Sequence, residues 1–92
     1  MTTALIIEDE ALAAKDLQKL LRQCEPTIEI AGILSGIEEA AAWFGANPEP
    51  DILFCDIQLS DGVSFDLFNR VQIDCPVIFT TAYNEYALRA FK

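Results

Sequence analysis

Leu5-Ile6-Ile7 is a short apolar run that stops at Glu8-Asp9-Glu10, the pattern of a strand buried on both faces that ends at the margin of its sheet. Ile52-Leu53-Phe54-Cys55 repeats the pattern and is cut off by Asp56, so the first and third strands both end in carboxylate. Between them, Ala13, Leu17, Leu20, Leu21 and Cys24 recur at helical spacing with Lys15, Asp16, Lys19 and Arg22 on the other side, which predicts a helix over 11–24 that ends before Pro26. Ile28-Glu29-Ile30-Ala31-Gly32-Ile33 alternates instead, as suits a strand at an edge. Ile37, Ala40, Ala41 and Phe44 form a second helical stripe closed by Gly45, and Asn47-Pro48-Glu49-Pro50 is turn chemistry. Beyond a Ser60-Asp61-Gly62 turn, Leu67, Phe68 and Val71 suggest a third helix. Pro76 then opens a fourth strand, Val77-Ile78-Phe79, running to Thr80-Thr81, and residues 83–91 read as a fourth helix.

Strands and helices alternating with short links predict an α/β fold, a doubly wound parallel sheet with helices on both faces. With the second strand at an edge beside the first, the strand order reverses between the first and the third. Ligands of open α/β sheets bind in the crevice at that point, beyond the carboxyl ends of the strands.

Composition narrows the chemistry. The chain has 92 residues and 52% hydrophobic content, enough for one modest core and a single domain over residues 1–92. Its formal charge of -9 repels nucleic acid phosphates, so direct DNA binding by this chain is not expected. No apolar stretch approaches the roughly 20 residues that span a bilayer, and the Met-Thr-Thr-Ala start lacks the basic flank of a secretory signal, so a cytoplasmic location is expected. Cys24, Cys55 and Cys75 are an odd number at wide spacing, read as small apolar core residues rather than zinc ligands. Histidine is absent, so chemistry must come from carboxylates, hydroxyls and metal.

The predicted topology brings Glu8, Asp9 and Asp56 together from distant segments. At an effective dielectric near 20, two carboxylates about 4 Å apart repel by roughly 4 kcal/mol, so three need a proton, a cationic side chain or a metal. Mg2+ (or Mn2+) suits such a cluster, because it is commonly held by one or two carboxylates plus a phosphate oxygen. Asp56 would then be the nucleophile toward a phosphoryl group, with Thr81 hydrogen-bonding the new oxygens and reporting to the fourth helix. Taken singly, each residue has a simpler reading: Asp9 as the cap of the first helix, Asp56 and Asp61-Gly62 as turn residues, Thr81 as a strand-end hydroxyl. The combination of acids at two equivalent strand ends outweighs these.

At these residues the chain resembles a receiver domain of the CheY-like superfamily: Leu5-Ile6-Ile7-Glu8-Asp9-Glu10 is similar to the first-strand acidic motif, and Phe54-Cys55-Asp56-Ile57 to the phosphoacceptor strand. Phe54 through Gly62 and Pro76 through Ala87 are similar to the LytTR (LytR/AlgR) branch of response regulators. The resemblance implies a flavodoxin-like strand order 2-1-3-4, with Asp56 as phosphoacceptor and Glu8 and Asp9 as metal-site acids. It implies the Gln58 backbone carbonyl as a further metal ligand, Thr81 as the switch hydroxyl and a sensor histidine kinase as donor. Such a domain is a phosphoacceptor that at most assists its own phosphorylation and dephosphorylation, not an enzyme.

The family's fifth strand, with its Lys-Pro pair, and fifth helix find no counterpart here; the sequence runs to Arg89-Ala90-Phe91-Lys92, in the region of the fourth helix. Lys92 follows no strand and precedes no proline. A DNA-binding output, and with it transcriptional control, is expected of a longer parent. A four-stranded piece leaves Val77-Ile78-Phe79 as an open edge, which predicts a homo-oligomer formed through it. Two other readings are a pure interaction or dimerisation module without transfer chemistry and a small Mg2+-dependent phosphohydrolase. The second is disfavoured, since Asp56-Ile57-Gln58 carries an amide where such enzymes need a general acid.

Overall fold

Strand β1 (Thr3–Ile7) occupies the middle of a four-stranded parallel sheet in the order β2-β1-β3-β6, where β2 is Glu29–Leu34, β3 is Ile52–Asp56 and β6 is Val77–Thr80. The structure, a computed structural model, describes residues 2–80. Thr81 and the helix expected over 83–91 lie outside the described residues.

Successive side chains of β1 point to opposite faces and both faces are covered, which explains why its sequence is apolar throughout. Leu5 and Ile7, with Leu53 and Cys55 of β3, pack into one core against α2 (Ile37–Ala46) and α3 (Phe65–Arg70), joined by Leu34, Ile37, Ala40, Leu59 and Leu67. Ala4, Ile6 and Phe54 face the other way, toward Ala14 of α1 (Ala11–Cys24) with Leu17 and Leu21 beside it. The helices therefore lie on both sides of the sheet, as the doubly wound expectation requires. Strand β2 is at the edge, with exposure alternating along it, and the reversal of order falls between β1 and β3.

Two local expectations are corrected and a third is extended. The inward stripe of α1 centres on Ala14, while Leu20 is 55% exposed and Cys24 is also at the surface. The helix meets the sheet along one narrow line, and Leu20 falls off it. Helix α2 does not stop at Gly45 but runs to Ala46, with the Asn47 side-chain amide donating to the Trp43 carbonyl at 2.9 Å. The turn expected at Ser60-Asp61-Gly62 is present and joins two short strands that the sequence did not reveal: β4 (Gln58–Leu59) pairs antiparallel with β5 (Gly62–Val63).

The two helices of one face are tied by an ion pair between Arg70 and Glu38, which lifts the guanidinium above its usual range and lowers the carboxyl. Both groups sit in water, where such pairs contribute little. Arg70→Ala is accordingly expected to leave the thermal unfolding midpoint within scatter of the parent; a clear drop in a melting scan would refute that.

Candidate functional site

The carboxyl end of β1 is prolonged by one residue: the Glu8 N–H donates to the Leu34 carbonyl at 2.8 Å, so Glu8 is held beside β2 before the chain leaves the sheet. Asp9 follows at the surface and Glu10 is the N-cap of α1, without a side-chain cap bond. The simpler reading of Asp9 as helix cap therefore fails. The Glu8 carboxylate turns back instead, its Oε2 accepting the Glu10 N–H at 3.1 Å. Asp56 is the last residue of β3, in register with Thr80 of β6.

These strand ends converge. Carboxylate oxygens of Glu8, Asp9 and Asp56 all lie within 4.8 Å of one another. Glu8 and Asp56 are half-buried and Asp9 is exposed. Burial pushes the Glu8 carboxyl up to about 7, aided by the side chains of Asp9 and Asp56 and opposed by the Glu10 N–H. Among the described residues the one ion pair is Arg70 with Glu38, so no described Lys or Arg neutralises the cluster. Of the remedies open to three crowded acids, the Glu8 proton serves near neutral pH and a divalent cation would serve better. The donor set fits such a cation: hard oxygen ligands on two rigid strand ends.

Beside the acids an open hollow of about 420 Å³ runs between α1 and β2, lined by Glu8, Asp9, Leu12, Lys15, Ile33 and Ser35 among others. Behind them, burial pushes the Cys55 thiol up to about 11, which keeps it protonated and unreactive. Gln58 stands two residues past Asp56 at the start of β4. Thr81, the fourth expected side chain, lies outside the described residues.

A family model described as the response regulator receiver domain matches residues 4–92. The chain belongs to that family. This receiver domain is similar to the sensory transduction protein LytT of Bacillus anthracis, 38% identical over 95 residues, which cover 100% of this chain and 38% of that protein. LytT of Bacillus subtilis (strain 168) is 37% identical over 95 residues, covering 100% of this chain and 39% of that protein. The chain thus spans well under half the length of these relatives. Among solved structures, it resembles the PhyR response regulator receiver domain of Erythrobacter litoralis, with TM-score 0.75, 37% identity, and coverage of 99% of this chain and 70% of that one. PhyR from Brucella abortus gives TM-score 0.79 and 34% identity over 99% of this chain and 37% of that one. The acidic cluster is of the kind by which receiver domains bind Mg2+. Among the described residues no helix is long and apolar enough to cross a membrane.

The expectation of a turn at Ser60-Asp61-Gly62 passed over what one of its residues does. Asp61 reaches from the β4-β5 turn to the start of α2, its Oδ1 accepting the Ile37 N–H at 2.8 Å and its Oδ2 the Glu38 N–H at 3.1 Å. The available signal was Gly36, which precedes α2 and has no side chain with which to cap it.

Proposed function

We propose that this receiver domain accepts a phosphoryl group on Asp56 from a sensor histidine kinase in the cytoplasm and, within a longer parent protein, controls a DNA-binding output of the LytTR kind. The observation that carries this reading is the convergence of three carboxylates within 4.8 Å at adjacent strand ends, with no described Lys or Arg in ion-pair contact with them. Glu8, Asp9, Asp56 and the Gln58 carbonyl would hold Mg2+ or Mn2+. A cation bound there supplies neutralisation of charge on the transferring phosphoryl oxygens.

Asp56 needs no base, because its carboxylate is itself the nucleophile. One Asp56 oxygen bonds to phosphorus as the bond from phosphorus to the donor breaks, and the leaving group takes that electron pair. The product is an acyl phosphate with new acceptor oxygens at the end of β3. Thr80 is in register with Asp56, and Thr81, the next residue in the sequence, is the proposed switch hydroxyl. Incubation with acetyl phosphate and Mg2+, followed by intact mass and peptide mapping, tests the reading. One phosphoryl group on Asp56, released by hydroxylamine, is expected; an unmodified Asp56 under conditions that load other receivers would overturn it. Steady turnover of a phosphomonoester would favour the phosphohydrolase instead.

A second reading, association of two copies through β6, is supported by its place at the sheet margin among the described residues, with Ile78 46% and Phe79 41% exposed. Light scattering is expected to give an apparent mass that rises with concentration. A constant monomer mass up to millimolar protein would sink that reading without touching the chemistry of Asp56.

A further inference from the structure

Helix α2 begins without a cap of its own. Gly36 has no side chain, and the Ser35 N–H and hydroxyl are turned toward the Glu39 carboxylate, at 3.2 and 3.4 Å. The first two N–H groups of the helix are taken instead by the Asp61 carboxylate. These contacts, with the N–H of Ile37 foremost, hold the Asp61 carboxyl below the usual carboxylate range.

Asp61 lies at the tip of the β4-β5 hairpin, which starts two residues after Asp56. The hairpin is closed at its base by the Ser64 N–H donating to the Ile57 carbonyl at 2.8 Å, and anchored at one side by Leu59, which is buried in the core. Its tip has Asp61 as anchor. Two glycines make the approach possible. A Cβ on Gly36 would stand 2.8 Å from Asp61 Oδ1, and Gly62, the next residue in the turn, has φ of +141°, where a side chain is strained.

We propose that Asp61 is a positioning residue for the segment that follows Asp56, holding in place the hairpin from which the Gln58 carbonyl would reach the cation site. This rests on the proposed reading of that site. The action is through hydrogen bonds rather than charge: the acids that press on Glu8 are Asp9 and Asp56. Groups behind metal ligands orient them in this way, and their loss lowers metal affinity.

The test uses the 92-residue chain with Asp61→Ala, Asp61→Asn and Gly36→Ala, the last keeping the charge while pushing the carboxylate off the helix. Amide exchange by NMR is followed without metal, and Mg2+ affinity is read by calorimetry. D61A and G36A are expected to speed exchange of the Ser64 amide and the hairpin and to weaken Mg2+ binding about fivefold, in line with loss of a cap. D61N, which keeps one acceptor oxygen, should recover most of the affinity. Parental Mg2+ affinity in D61A and G36A, or equal losses in D61N and D61A, overturns positioning while the site reading stands. No Mg2+ binding by the parent overturns the site reading and the positioning role with it, and the metal-free exchange data still report whether the tip clamp exists.

Discussion

Replacing Asp56 with asparagine will reduce phosphoryl uptake from acetyl phosphate to background while leaving the fold intact. The amide matches the carboxylate in size, so the register of β3 with β6 and the buried neighbour Cys55 are undisturbed. What is lost is the nucleophile: an amide oxygen carries no full negative charge and forms no stable acyl phosphate. Asp56→Glu separates reactivity from placement, because it keeps the charge and moves it by one methylene. A misplacement of about 1 Å costs on the order of 100-fold in rate, so D56E should be loaded slowly rather than not at all. Intact-mass time courses for parent, D56N and D56E decide the matter. Parental loading of D56N would mean that another side chain takes the phosphoryl group and that the strand-end carboxylate is not the acceptor.

The placement of Asp56 was legible because two-faced burial leaves an unmistakable trace. Leu5-Ile6-Ile7 and Leu53-Phe54-Cys55 must be apolar at every position when helices cover both sides, and each run can end only where the sheet does. Edge strand β2 was legible from its alternation for the converse reason. The pattern fails where burial is partial. Leu20 is apolar yet half in water, because apolar residues are not barred from surfaces, and periodicity alone did not separate it from Leu17 and Leu21. Gly45 suggested a helix end, but one glycine costs less than the neighbouring bonds of α2 supply. The β4-β5 hairpin escaped because its strands are two residues each, too short for a period. The Asp61 clamp escaped because a cap supplied from 24 residues away has no local spacing at all. The same holds for the acid cluster: sequence spacing says nothing of it, and only the inferred strand order made Glu8, Asp9 and Asp56 neighbours.

Glu8→Gln is expected to do two opposite things, stabilising the metal-free chain at pH 8 and weakening Mg2+ binding by tenfold or more. Burial and two adjacent acids raise the Glu8 carboxyl from an ordinary 4.5 to about 7. Between those values the folded chain holds more protons than the unfolded one, so stability falls as pH rises through this window and the loss is complete above it. With much of Glu8 in contact with water, screening limits the penalty to about 1 kcal/mol. Glutamine carries no charge to desolvate and escapes it, so the stabilities of parent and E8Q should coincide near pH 4.5 and diverge by pH 8, with E8Q the more stable. Saturating Mg2+ should reverse the order, because a cation bound among Glu8, Asp9 and Asp56 stabilises only a fold that can bind it. Urea unfolding at both pH values, with chelator and with Mg2+, reads all four states. A parent whose stability at pH 8 is indifferent to Mg2+, or an E8Q that gains as much from the ion as the parent does, would show that these carboxylates are crowded for some reason other than holding a metal.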